Sequence, residues 1–544
     1  MFVRVKKIGA YEYLYLVENA REGGRHVQRV IKAPGRGDEV EAAGLIDGLI
    51  ASAARHSRRS IVLSSFYRGE LPELHRLSMG PDLVFGRLWA ETGCRDVLKS
   101  MLADRHFAFD VERAVYLTVL HRLMISGSDR HASDWLRRVR VPGAEGLDLD
   151  HAYKAMAWLG EADAAGRCTA EAVEEALYRH RQPLFGAVSM AFIDTTSLWF
   201  EGAGGESLGQ YGHSKDDRGH LKQVVLGIVL DDTDRPIASF LMPGNTAEVT
   251  WLLPVVRRLR AGFGIREACI VADRGLISAD TIAALEAEKI DDILGVRERT
   301  SREVRAEVIE DDGLAVPLVI PRQKGETELT IKETTIAGRR YVICRNHEAA
   351  KKDAAARAEL VAGLERKLAQ GDKALVANNG FRRFVKTPTG GGFVIDRAKI
   401  EADARFDGLF VLRTNTKITA LQVVLRYRNL LAVEDAFKTA KALLATRPTP
   451  GSSPGADAGI RGHVFCTFLA LVLRKELFDR LAARRSRLEW HRVIDDLADL
   501  SEIEVEQDGR RARLRTAPGP AIDPICRAIG TTLPSVFQQV PPTP

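Results

Sequence analysis

Cysteine is scarce in this chain. The 544 residues include six, Cys94, Cys168, Cys269, Cys344, Cys466 and Cys526, with no CxxC pair among them. That scatter excludes a zinc knuckle and a disulfide framework and leaves reduced, buried thiols. Long hydrophobic runs are missing as well, since none reaches the ~20 residues that span a bilayer. The N-terminal stretch MFVRVKKIGAYEYLYLVE alternates like a strand and lacks the apolar block of a signal peptide. A cytoplasmic protein with no membrane contact is expected. Neither sign of charge dominates: 79 Lys and Arg against 73 Asp and Glu give a net +6, which permits a polyanionic partner without demanding one. The length rules out a single core and points to two to four domains.

What is present is local. Basic clusters stand at RHSRRS (55–60), DWLRRVRV (134–141), PVVRRLRAGFGIR (254–266) and GFRRFVK (380–386). Each alone is more often a solvated face than a nucleic-acid site. Residues 1–75 read as a small β-rich unit with a hairpin at Glu22-Gly23-Gly24. Residues 76–185 space their apolar positions by three and four, as a helical bundle with basic edges would. SGSDRHASDWLRR within it offers helix N-caps. Between 186 and 298 the order is strand, strand, strand, helix, strand, helix, strand, which describes a mixed sheet flanked by helices. Residues 299–402, charged, with strands and a long helix, have the texture of an insertion. The core pattern resumes over 403–480, where HVFCTFLALVLRKELFDRL reads as a buried helix, and 481–544 reads as a helical tail.

Two acids close apolar strand runs: Asp194 ends MAFID and Asp273 ends CIVAD. The C-terminal edge of such strands is where open α/β sheets put reactive groups. Packing does not require an acid there, although Asp273 before RGLIS also suits a turn or a helix N-cap. A third acid stands in YRNLLAVEDAFKTAK (427–441), which reads as one helix with Tyr427, Leu430, Glu434 and Lys441 on a single face. A salt-bridged surface is the plain reading of that stripe. Three carboxylates brought together would instead repel one another until a hard divalent cation binds. His213 and His220 show no metal spacing.

The segments FIDTTSLWFEG, YGHSKDDRGHLKQVVLGIVLDDTDRPIASFLMPGNTAE, IVADRG, EADARFDGLFVLRTNT, YRNLLAVEDAFKTAK and IRGHVFCTFLALVL run in that order. Together they resemble the DDE transposases of the insertion-sequence-four superfamily, over about residues 70–480. The resemblance implies an α/β fold: an RNase H-like mixed-sheet catalytic core with an inserted strand-plus-helix segment, preceded by a small β unit and a helical DNA-binding region. It implies Asp194, Asp273 and Glu434 as catalytic residues and metal ligands for two Mg²⁺ ions, with Mn²⁺ able to substitute. It also implies double-stranded DNA partners, namely inverted-repeat ends and target DNA, and a homodimer in the synaptic complex.

The superfamily helix motif is Tyr, two residues, Arg, three residues, Glu, six residues, Lys. Tyr427, Glu434 and Lys441 match it, and Leu430 stands where the family has Arg. The resemblance implies Tyr427, Lys441, Lys438 and Arg428 as DNA-binding residues, with Arg426, Arg428 and Lys438 the candidates for the phosphate contact of the missing Arg. Lys215 and Arg218, in YGHSKDDRGH, read equally as backbone-phosphate contacts or as a polar loop. A transposase-derived protein that binds DNA without cutting is the alternative. A sugar hydrolase fits the acids in isolation but not the basic clusters or the Tyr–Glu–Lys pattern.

Overall fold

The computed structural model describes residues 2–22, 25–54, 73–125, 134–185, 188–199, 204–212, 219–296, 315–321, 326–369, 383–387, 392–443, 455–507 and 510–540. They fall into two compact units. One comprises Met1–Val84, Leu136–Arg140 and Ala483–Pro544, and the other Phe85–Trp135 and Val141–Ala482. The first unit opens with an antiparallel sheet of β1 (Phe2–Ile8), β2 (Tyr11–Glu22) and β3 (Arg25–Arg36) in that order. The short helices Gly37–Ala42 and Leu45–Ala54 follow. Gly9 turns the chain between β1 and β2 at φ +62, a conformation that costs glycine nothing. β4 (Glu73–Ser78) belongs to a second sheet completed from the C-terminal end.

In the second unit the helix Val111–Met124 is buried along its whole length. Its Glu112 and Arg113 are therefore paired internally. Glu112 accepts from the Trp89 indole N–H at 2.6 Å and from Arg113, and Asp110 caps the helix by accepting from the Arg113 amide. The helices Leu149–Gly160 and Ala456–Ala483 cross closely. A Cβ on Gly160 would lie 1.9 Å from the Ala458 carbonyl, and one on Gly462 would lie 1.9 Å from that of Met156. Ala456–Ala483 is long and apolar enough to cross a membrane by length and composition, but 78% of its apolar window is buried inside the protein. It is the buried helix read from the sequence. The caps expected in SGSDRHAS (126–133) lie outside the described residues.

The second unit's sheet gathers β5 (Met190–Trp199), β6 (Gln223–Leu230), β7 (Pro236–Pro243), β8 (Cys269–Ala272), β9 (Asp292–Val296), β10 (Val316–Pro321), β11 (Glu326–Ile336), β12 (Arg339–Asn346) and β15 (Leu409–Thr414). A separate hairpin pairs β13 (Val385–Lys386) with β14 (Val394–Ile395). Spatial order in the large sheet is β10-β11-β12-β15-β9-β8-β5-β6-β7. β5, β8 and β9 are parallel, and every other pair is antiparallel. β6 is buried at every position, as a central strand covered on both faces must be. Gly227 in β6 makes room for the Trp251 indole, which a Cβ there would meet at 1.5 Å. Trp251, Leu252, Val255 and Leu259 close the core over Ile193, Val229 and Ile270. This is the mixed α/β sheet expected for 186–298.

Two expectations change. The strands of 299–402 are not set apart from the core: β12 pairs with β15, so β10–β12 extend the same sheet. Their charged positions are explained by alternation, since β11 buries Thr327, Leu329 and Ile331 and turns Glu326 and Glu328 outward. The tail is not simply helical either. β16 (Ser501–Gln507), β17 (Arg510–Arg515) and β18 (Phe537–Val540) join β4 in a four-stranded sheet, beside the helices Trp490–Asp499 and Ile522–Ile529. SEIEVEQ and RRARLR carry a period of two, and that period prevails over their high charge.

Glu174, on the helix Thr169–Phe185, ties that helix to the sheet. It accepts from the Ser239 amide at 2.9 Å, from the Ser239 hydroxyl, and from Arg258 at 2.9 Å. Burial pushes its carboxyl up to about 7 against the pull of Arg258. A raised acid gives stability that is fully present below the unfolded value of 4.5 and lost as pH rises through about 7. In thermal melts, the margin of the wild type over Glu174→Gln should therefore shrink across that window. A constant margin would mean that the carboxylate stays charged throughout.

Candidate active site

Parallel pairing sets the site. β5 and β8 pair with Ile193 opposite Ala272, so the next residues, Asp194 and Asp273, stand side by side where β8 ends. β5 itself continues to Trp199 along β6, so Asp194 is a mid-strand residue and not a strand end as its sequence suggested. Its Oδ1 accepts from the Thr195 amide at 2.7 Å. Asp273 occupies the N-cap position of the turn Arg274–Leu276, yet its side chain makes no capping bond. It accepts at Oδ1 from the Tyr427 hydroxyl instead, at 2.7 Å. The turn-former reading of Asp273 therefore does not account for its side chain.

Tyr427 reaches Asp273 because of a glycine. Gly295 follows Leu294, the partner of Ala272, and a Cβ there would lie 2.5 Å from the Tyr427 hydroxyl and 3.3 Å from Asp273 Oδ1. Glycine inside a strand marks such close approaches, so LGV in DDILGVRE carried a signal that sequence reading passed over. The ring stacks on Phe410 at 6.5 Å between centroids. Burial raises the Tyr427 phenol well above its ordinary value, and the negative charges of Asp273 and Asp194 add to the shift. The phenol is therefore a fixed proton donor near both carboxylates.

The helix expected over 427–441 is two helices. Ala420–Arg428 carries Tyr427, Asn429 caps it, and Leu430–Leu443 carries Glu434 and Lys441. Tyr427 and Glu434 therefore do not share one helical face. Leu430, Val433, Phe437, Ala440 and Leu443 are buried, and their helix lies against β5 and β6. Leu430, in the motif's Arg position, thus serves packing.

Glu434 is exposed, and its charge acts on Lys438. The structure brings Asp194, Asp273 and Tyr427 together but does not bring Glu434 into contact with them. Among the described residues, no three His, Cys, Asp or Glu side chains are grouped to hold a metal ion. The two aspartates supply the hard oxygen ligands that a divalent cation takes, and a third carboxylate would have to come from Glu434.

Of the residues expected to bind DNA, Lys438 is exposed and pairs with Asp435 at 3.0 Å. Arg428 and Lys441 are half-buried, Lys441 in the last turn of its helix. Arg426 is half-buried and acts electrostatically on Cys269, the first residue of β8. Lys215, Arg218 and His213 lie outside the described residues.

Glu248 went unnoticed in the sequence, although it ends the quoted PGNTAE. Its Oε1 accepts from the Thr195 hydroxyl at 2.7 Å, and its Oε2 would lie 2.7 Å from a Cβ on Gly275. A fourth carboxylate thus sits between the neighbours of Asp194 and Asp273.

The site thus sets adjacent aspartates on parallel strands of a mixed sheet, one of them fixed by a phenol. Residues 189–449 match the family model of the transposase DDE domain, and residues 3–65 match the N-terminal domain of IS1634 family transposases. The chain belongs to the DDE transposases of insertion sequences. No curated protein matches it. Among solved structures it is similar to a Mos1 transposase paired-end complex with left transposon end. That match has 12% identity over 35% of this chain, with a TM-score of 0.15. The chain covers 61% of that structure's chain.

A carboxylate that accepts from a phenol gains about 1.5–3 kcal/mol of charge-assisted hydrogen bonding. Tyr427→Phe should therefore keep the melting temperature within a few degrees while slowing metal-dependent DNA cutting roughly tenfold or more. Unchanged cutting would show that the phenol does not position Asp273.

Proposed function

We propose that the chain binds the terminal inverted repeats of an insertion sequence and catalyses metal-dependent strand cleavage and strand transfer by in-line attack on phosphodiesters. The observation that carries this reading is the pair Asp194 and Asp273 at the end of β8, with Asp273 fixed by Tyr427. β5, β6 and β7, followed by a helix and parallel β8, support an RNase H-like core. Asp194 and Asp273 would hold divalent cations, with Glu434 swinging in from the helix that lies against β5. Two Mg²⁺ ions, or Mn²⁺, would supply an activated water and stabilise the leaving oxygen.

The chain's own groups do the rest. Tyr427 keeps Asp273 in one orientation and donates a proton that it does not release. Glu248 holds Thr195, and through that residue the strand beside Asp194. Lys441 and Arg428 would take DNA phosphates, which positions the ends without reading their sequence. A homodimer, one active site for each end, and a cytoplasmic location complete the reading. The exposed Glu434 also fits a chain that binds DNA without cutting, and a cleavage assay separates the two.

Asp194→Asn, Asp273→Asn and Glu434→Gln should each abolish Mg²⁺-dependent cutting of DNA bearing the element's ends, by at least about a hundredfold, because a ligand is lost. End binding in gel shifts should stay within about twofold. A variant that cuts at near-normal rate removes its residue from the site. Lys441→Ala should weaken end binding or strand transfer more than it lowers thermal stability. Full activity with a lowered melting temperature would make Lys441 structural.

A further inference from the structure

The sheet β1–β3 segregates its charges by face. Alternation and register place Arg4, Lys6, Arg21, His26 and Arg36 on one side. The Arg4 guanidinium donates to Gln28 across that side at 2.8 Å, which confirms the register. No described strand position on this face carries a carboxylate. The other face mixes Lys7, Arg29 and Lys32 with Glu12 and Glu18. Asp38, from the following helix, pairs with Arg36 at 2.7 Å, so Arg4, Lys6 and Arg21 carry the net field, and all three are exposed.

Three tyrosines run down the middle strand of the same face. Tyr15 stands opposite Arg4, and Tyr13 stands between Lys6 and Arg36. Tyr11 faces Ile8 and carries the Arg36 guanidinium 4.2 Å above its ring. Rings two residues apart on a strand are about 6.8 Å apart. That is roughly twice the 3.4 Å rise of a stacked duplex strand, a step suited to an extended, unstacked strand. Aromatic rings alternating with cations on an open sheet form a stacking platform for unpaired bases. A duplex hides its base faces, so these rings would have nothing to stack on there. A second copy of the chain would set these cations against themselves, burying like charge without compensation.

We infer that this face binds single-stranded DNA, its tyrosines stacking on bases and Arg4 and Lys6 contacting phosphates. The inference rests on the proposed function only for the source of that strand, the one exposed when an element end is cut and separated. The test uses the full chain in chelator with two fluorescein-labelled probes, a 20-nucleotide oligodeoxythymidylate and a 20-base-pair duplex bearing the element's end.

Tyr13→Ala with Tyr15→Ala should weaken oligonucleotide binding at least tenfold and leave duplex binding within twofold. The Phe pair, which keeps the rings, should bind like the wild type and so controls for folding. Arg4→Gln with Lys6→Gln should flatten the salt dependence of oligonucleotide binding by about 1.4 in log–log slope. The inference is overturned by wild-type binding in the Ala pair, by parallel loss of both probes, or by a Phe pair as weak as the Ala pair. Sedimentation showing that the Ala pair breaks a dimer with no change in oligonucleotide binding also overturns it. Oligonucleotide binding without cutting of element ends would sink the catalytic reading and leave this one standing, and the converse result would do the opposite.

Discussion

The hydrogen bond from Tyr427 to Asp273 settles how two acids can share the end of β8. Carboxylates carried on strands ~4.8 Å apart repel by about 3 kcal/mol at an effective dielectric of 20. A phenol donating to one of them returns about 1.5–3 kcal/mol, which offsets part of that repulsion. The bond depends in turn on Gly295, which leaves the space, and on Phe410, against which the ring stacks. Asn429 caps the helix that carries Tyr427, and the next helix lies against β5 and β6.

The large sheet supplies the rigidity this needs. Functional groups are positioned best on elements whose own side chains are locked by packing. Asp194 lies on a strand paired on both sides, between β6 and β8, and the Trp251 cluster packs over the strands it neighbours. β15 and the strands β10–β12 widen the sheet beyond β9 and back the strand that carries Gly295. Glu434 differs from the aspartates in kind: it is exposed on a helix, so its position relative to them is set by side-chain reach rather than by strand register.

Much of the sheet was legible in the sequence because buried strands write long apolar runs. MAFID, QVVLGIVL and CIVA each appear in strands at the expected places. The acids were legible as breaks in those runs. Charge hid the strands of the tail, since SEIEVEQ alternates among glutamates and was read by composition rather than by period. Asn429 hid the helix break, because a residue that caps a helix also fits inside one, and the three-and-four spacing of Tyr427, Leu430 and Glu434 carries across it unchanged. Glu248 and Gly295 were silent for another reason. Their meaning lies in contacts to residues 53 and 132 positions away, which no local pattern records.

The most direct measurement is the location of Mn²⁺ by anomalous scattering in crystals of the protein bound to an element end. The account predicts density between the carboxylates of Asp194 and Asp273, with Glu434 turned in to complete the shell. Density elsewhere, with Tyr427 still donating to an Asp273 that holds no ion, would contradict it.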